Sequence, residues 1–515
     1  MLTTAAATTQ GYLLRPGTLP AMSTVILVLA YVWLLYTRHG RLRHVPGPWL
    51  SKVSSLHLAF HDLSYCRNDE IFKWHRLYGP VVRIAPNEVS VATLEATKEI
   101  YGATHRWAKS NYFDNFMGYN MRSVFATKPY EEHRAKRRLT SVFYQASNIY
   151  KLPEIEQHIQ ERSQAVLGQI RHGQEVDVYS LTDWFALDNI TYLVLGPDHC
   201  THSVERVCPE RDLFMELKHL QFVGPFRVRY PKVFAPLSRL LGKLNPRLKY
   251  LLADEKLASW CQQRISTAIN DPRLFSSHSL LRYLLENHEV REAMQPLDRQ
   301  YIAAEVLDNI NAAEATVAVT ATYLIWRLTE APQWQRRIRK ELALLPVQVD
   351  GSISFSDIDS RVPSLEACLR EVYRLHPASS GRAERIVPEG GHTFLGLYLP
   401  EGTIVTASVV ALHRDEKIFP DSERFAPERW LETDETTLKV CEPQLIPFGY
   451  GGRICLGKAL ATMEIKLLIA QLYEKYETAM TASSTAESMR QCSTHDAVPK
   501  DLECVVRFQN VEEQI

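Results

Sequence analysis

One stretch of the chain is apolar on every side. Residues Ala21 to Tyr36 read AMSTVILVLAYVWLLY, 16 residues in which only Ser23 and Thr24 are polar. A run without a polar face suits lipid better than a protein core, although a full span wants about 20 apolar residues. Leu19, Tyr31, Trp33 and Tyr36 lie near its ends and can reach the membrane interfaces. Arg38, Arg41 and Arg43 follow at once, against a single Arg15 before the run, a bias that places the rest of the chain on the cytosolic side. The basic cluster follows the run and no small-residue cleavage site does, which counts against a cleaved leader. The expected organisation is a short lumenal stretch over 1–20, a single-pass anchor over 21–37 and a basic, proline-rich hinge over 38–50. One large domain over 51–515 follows. The bend Pro46-Gly47-Pro48 stiffens the hinge.

Beyond the hinge the pattern is mostly of period 3.6. It predicts helices over Pro153–Gln169, Arg299–Leu328, Pro363–Leu375 and Lys458–Tyr476. Short strand-like pieces stand at Val81–Ile84, Glu88–Val91, Thr403–Ser408 and Leu502–Phe508. The strands are few and far apart, so the expectation is a mainly α domain with small β-sheets and not a doubly wound sheet. No repeat or long linker divides it.

Composition narrows the function classes. The 515 residues hold 59 Lys and Arg against 59 Asp and Glu, a net charge of zero. That balance excludes nucleic acid as a partner on charge grounds. A mean hydropathy of −0.20 excludes a polytopic membrane protein. Nine scattered cysteines with no C-x-x-C pair fit reduced thiols in a cytosol-facing domain and leave room for one with a chemical role. The sequon at Asn189 falls in a predicted helix on the cytosolic side, where it goes unused.

The chemistry lies near the C-terminus. Pro447-Phe448-Gly449-Tyr450-Gly451-Gly452-Arg453-Ile454-Cys455-Leu456-Gly457 leads straight into a predicted helix. Glycines let the backbone approach a flat ligand. Cys455 stands before a helix start, whose partial positive charge favours a thiolate. A lone Cys in a glycine-rich loop suits a haem better than zinc, and a buried structural Cys in a turn is the bland alternative.

These residues resemble the cytochrome P-450 superfamily of haem-thiolate mono-oxygenases, whose haem loop is matched at Phe448, Gly451, Arg453, Cys455 and Gly457. The resemblance implies that Cys455 is the axial iron ligand of haem b and that Arg453 meets a propionate. Glu371 and Arg374 match the family's E-x-x-R, 84 residues before Cys455. With Arg429 they are implied to form a buried network that holds the haem loop. His133 and Arg137 fit the propionate-binding helix, His133 standing where the usual pattern has Trp, and Arg385 resembles the strand Arg that meets the other propionate. In the long helix the register gives Ala312-Ala313-Glu314-Ala315-Thr316-Val317. Thr316 keeps the threonine implied to deliver protons, and Ala312 and Ala313 keep the space for dioxygen above the haem. Ala315 replaces the usual acid. Glu314, one residue early, is turned by about 100° and cannot simply stand in; whether Glu314 or Asn311 takes part in proton delivery stays open.

The resemblance covers about Pro46 to Phe508, and Arg83 to Ser90 look like filamentous-fungal members of secondary-metabolite pathways. It implies a mono-oxygenase anchored in the endoplasmic reticulum. O2 and NADPH would be co-substrates, and a membrane-bound NADPH–haemoprotein reductase would dock on the basic face near Cys455. The implied substrate is lipophilic, a terpenoid, polyketide or alkaloid, held under the aromatic loop Trp107 to Phe125. Two other readings stay open: a non-redox haem isomerase or dehydratase, suggested by Ala315, and a non-enzymatic membrane-anchored binding protein.

Overall fold

The computed structural model describes residues 18–38, 40–289 and 299–511. Residues 1–17 of the expected lumenal stretch lie outside the described residues. The principal helices are α1 (Thr18–Arg38), α2 (Leu56–Leu63), α3 (Tyr130–Thr140), α4 (Pro153–Gly168), α5 (Val178–Leu195), α6 (Pro209–Phe222), α7 (Pro231–Leu244), α8 (Arg299–Glu330), α9 (Pro363–Leu375) and α10 (Lys458–Lys475). The four helices read from periodicity are α4, α8, α9 and α10, with α9 matching end for end.

Local signals set several boundaries. Asp177 caps α5, its carboxylate accepting the N–H groups of Tyr179 and Ser180, and Gly196 at φ +92° turns the chain out of its end. Pro363 opens α9, where its missing N–H costs nothing. The 32-residue α8 is the axis of the molecule. It packs against α5, α9 and α10, and one large cluster of buried side chains from α4, α5, α6, α8, α9 and α10 forms the main core. A helix enclosed on nearly all sides needs apolar residues all round, which is why α8 shows little amphipathic pattern.

Among the described residues nine strands make three small sheets. β1 (Val81–Ala85), β2 (Glu88–Val91), β7 (Ile404–Ala407) and β4 (Arg385–Ile386) pair in that order, β2 and β7 in parallel. β3 (Glu175–Asp177), β9 (Val505–Asn510) and β8 (Tyr476–Met480) form the second, and β5 (His392–Phe394) with β6 (Leu397–Leu399) a hairpin. A second core cluster lies under the first sheet. The architecture is the mainly α fold with small β-sheets that the periodicity predicts.

Among the described residues no helix is long and apolar enough to cross a membrane, so the single-pass anchor expected over 21–37 is not established. Within α1, the side chains of Val25, Ile26, Leu27, Val28, Leu29, Tyr31 and Trp33 are all exposed. Asn189 is buried inside α5, out of reach of a glycosylating enzyme.

Candidate active site

The loop before α10 takes its shape from glycine. Gly451 has φ +69°, and a Cβ there would lie 2.1 Å from the Tyr101 carbonyl oxygen, so no other residue fits. Gly457 directly precedes α10 at φ −80° and needs no special backbone; a Cβ there would stand 4.0 Å from Cys455 Sγ. The Cys455 N–H donates to the Phe448 carbonyl at 2.9 Å, which closes the loop. The Phe448 ring meets Tyr373 of α9 edge to face at 5.1 Å.

Cys455 is the one exposed cysteine of nine, and none is in a disulfide. Its thiol is nonetheless pushed up by burial, partly offset by the N–H of Gly457, Arg137, and the N–H and ammonium of Lys458. An exposed residue whose charge is still poorly hydrated by the surrounding protein places the sulfur at the mouth of a cleft. The helix start alone therefore does not win against burial. A metal at the sulfur would, since a coordinated thiol is deprotonated outright.

Five basic groups from four segments gather beside Cys455. His133 and Arg137 stand at i and i+4 on α3, with Arg385 on β4, Arg453 on the haem loop and Lys109 between Trp107 and Ser110. Backbone contacts knit them: Lys109 bridges Arg385, Lys109 N–H donates to the Lys128 carbonyl at 3.2 Å, and Arg453 donates to the Thr127 and Lys128 carbonyls at 2.7 and 2.8 Å. Burial and mutual repulsion depress them. Arg453 falls to about 9, through burial, Arg385 and Arg137. Burial takes Arg385 to about 10. His133, buried among Arg453, Lys109, Arg137 and Arg385, drops to about 2 and is neutral. Lys109 is lowered well below its ordinary value by burial and the same arginines. The groups that offset them are few: Asp308 acts on Lys109, and otherwise only the weak acids Cys455, Tyr101 and Tyr130 act on Arg137, Arg385 and Arg453 among the described residues. Arg453 Nε is buried without a partner. Such a cluster fits a ligand with two anionic arms, and the thiol beside it fits a soft metal. A haem, with two propionates and an iron, satisfies both.

Lys109 is missed by sequence reasoning. It belongs to no motif, and its only signal is a lone cation in an aromatic-rich loop. Its Nζ donates to the Phe125 carbonyl and lies 4.0 and 4.3 Å from the Phe113 and Phe125 ring centres.

On α8 the Thr316 hydroxyl donates to the Ala312 carbonyl at 2.9 Å. Ala312 is exposed and Thr316 half-buried within a helix otherwise mostly enclosed, so this face borders the cleft. Tyr144 ties it to Cys455: its hydroxyl donates to Asn309 at 2.8 Å, and burial, Glu305, Cys455 and Asp308 all raise the phenol. Glu314 points elsewhere. It is buried, 2.6 Å from Lys218 Nζ on α6, which also pairs with Asp183 on α5. The acid one residue early is thus committed to an ion triad between helices, away from the Ala312–Thr316 face.

The loop is held from behind by a charge network. Glu371 and Arg374 are fully buried and pair at 2.7 Å; Glu371 also accepts from Arg429 at 3.1 Å, the Trp430 indole at 2.9 Å and the Ala426 N–H at 3.0 Å. Arg374 donates to the His413 carbonyl at 2.9 Å, and His413 Nε2 accepts the Ile446 N–H at 2.9 Å. Ile446 immediately precedes the loop. Burial and Arg374 lower His413 to about 3, so it stays neutral and keeps its acceptor. His413 is the link between network and loop, and no motif marks it.

Comparison with known proteins agrees with this geometry. The cytochrome P450 family model matches residues 47–497. The chain is 37% identical to the cytochrome P450 monooxygenase FGM1 of Gibberella zeae, over 96% of this chain and 97% of that protein. It is 28% identical to the cytochrome P450 monooxygenase tazI of Aspergillus terreus, covering 94% and 96%. It is 29% identical to the N-acetyltryptophan 6-hydroxylase ivoC of Emericella nidulans, covering 93% and 95%.

Proposed function

The chain belongs to the cytochrome P450 family of mono-oxygenases, and from that premise we propose that it inserts one oxygen atom into a lipophilic small molecule as a tailoring step of fungal secondary metabolism. The family's haem, O2 and reductase electron donor come with membership. Haem b and NADPH as the particular cofactor and reductant are part of the proposal. The observation that carries it is Cys455 Sγ open to a cleft beside five basic groups with scarcely a counter-charge.

Cys455 would hold the iron and Arg137, His133, Arg385, Arg453 and Lys109 the propionates. Bound there, haem supplies the reductive activation of dioxygen, which thiolate donation assists. The residues do the rest. Ala312 leaves room above the haem face. Thr316, fixed on the Ala312 carbonyl, presents a hydroxyl that can pass a proton where oxygen is reduced. Phe116 and Phe125, edge to face at 5.2 Å, offer an apolar wall for the substrate and keep water out.

Exposed apolar side chains support a membrane setting at the endoplasmic reticulum, with the domain facing the cytosol. Besides those of α1, Trp49, Leu56, Phe60 and Leu63 are exposed near the hinge, and Tyr230, Val233, Leu237, Leu240 and Leu244 along α7 and its approach. Helix Gly224–Arg229, which leads into α7, packs against α2. The test of function is turnover with NADPH, a fungal reductase and labelled dioxygen. One labelled atom per product is expected; turnover without NADPH would instead support an isomerase.

A further inference from the structure

Asp308, Ala312 and Thr316 stand at i, i+4 and i+8 on one face of α8. Around them Val306, Ile310, Ala315 and Val317 are buried, whereas Ala312 is exposed and Asp308 and Thr316 are half-buried. The helical rise puts Asp308 about 6 Å from Ala312 and about 12 Å from Thr316 along the axis. Asp308 therefore lies on the stripe that borders the cleft, one turn from the space above the haem face.

The aromatic loop crosses α8 at this level. Val124 N–H donates to Glu305 at 2.9 Å, a Cβ on Gly118 would meet Leu307 at 2.9 Å, and Ser123 stands close enough to Asp308 to lower its carboxyl. Two residues after Ser123, Phe125 packs on Phe116, whose ring lies 4.5 Å from His495. The carboxyl thus sits where an aromatic wall meets the open stripe.

Asp308 forms no salt bridge among the described residues. The groups acting on it, besides Ser123, are Glu305 on its own helix and Lys109 on the loop. Lys109 is held by the Phe125 carbonyl and the rings of Phe113 and Phe125, within the cation cluster. Burial and Glu305 push the Asp308 carboxyl up to about 7. With Lys109 engaged by the Phe125 carbonyl and the neighbouring rings, a cation on the substrate would pair with this acid where a neutral group would not, and the rings would add to the attraction.

We propose that Asp308 anchors a positively charged nitrogen, so that the substrate carries an amine or guanidine and its oxidised bond is held one to two turns away, over Ala312 and Thr316. This rests on the mono-oxygenase reading and narrows its substrate class.

The full-length protein, loaded with haem and first shown to give the carbonyl spectrum of a thiolate-ligated haem, is titrated with two probes. One is N,N-dimethylphenethylamine and the other its uncharged isostere isopentylbenzene, with binding read from the haem absorption and by calorimetry. The amine is expected to bind roughly 10-fold tighter or better, the size of one charge-assisted hydrogen bond. Asp308→Asn should erase the preference and leave isopentylbenzene binding unchanged. Equal affinities in the unaltered protein, no binding of the amine, or a preference that survives Asp308→Asn overturns the anchor. If that variant loses haem, the two-probe comparison on the unaltered protein still decides. A protein without the carbonyl spectrum fails the mono-oxygenase reading; one with the spectrum but no preference fails only the anchor.

Discussion

At the scale of single residues, charge and burial pull in opposite directions around Cys455, and that opposition gives sharp expectations. Lys109 is buried among arginines that repel it, so its charge costs stability until an anion arrives. Lys109→Met is therefore expected to raise the melting temperature of the haem-free protein while speeding haem loss from the loaded one by about 10-fold, or about 1.4 kcal/mol. Transfer of haem to an acceptor protein measures the second effect and calorimetry the first; both moving the same way would contradict the account. Thr316→Ala is expected to uncouple turnover. A positioned proton donor contributes about 10²–10⁴-fold, so product formation should fall while NADPH and oxygen are still consumed and hydrogen peroxide appears. Coupling kept intact would remove the role from Thr316, and the committed Glu314–Lys218–Asp183 triad leaves Asn311 as the nearest substitute.

At the scale of elements, the haem loop is positioned by a relay that starts on α9. Glu371 has five donors from Arg374, Arg429, Trp430 and Ala426. Glu371→Gln removes the negative charge and leaves Arg374 buried without its counter-ion, an expected loss of about 3–5 kcal/mol. Denaturant unfolding should show it, together with weakened haem retention. His413→Leu cuts the next link and orphans the Ile446 N–H, for about 1–3 kcal/mol; haem affinity should fall more than its stability cost alone explains, because the loop start is freed. The contrast between motif and relay shows what sequence can carry. Phe448 to Gly457, Glu371 with Arg374, and α9 from end to end are legible because the signals are local: fixed spacing, a proline start, a period. Lys109, His413 and Asp308 are not, because each gains its meaning from partners on other segments of the chain, 33 and 39 residues away for His413 and hundreds for Arg385 and Arg453 beside Lys109. The parallel pairing of β2 with β7, 88–91 beside 404–407, is hidden for the same reason.

At the scale of the whole molecule, α8 runs through the core and presents one open stripe, while loops from both ends of the chain bring Cys455 and the basic groups to it. The apolar surface of α1, α2 and α7 lies outside this assembly and contributes none of the haem-facing residues. Removing residues 1–37 is accordingly expected to leave haem binding intact and to release the protein only partly from membranes, with Leu240→Asp and Phe60→Asp releasing more. Sedimentation with lipid vesicles checks this, and a truncated protein that no longer binds haem would mean that the N-terminal helix belongs to the fold. The central claim is that Cys455 and the surrounding cations form one haem-thiolate site. Its most direct test is the carbon monoxide difference spectrum of the reduced full-length protein beside that of Cys455→Ser. The account predicts the long-wavelength Soret band of a thiolate-ligated ferrous carbonyl in the first and its loss in the second; the same band in both would contradict it.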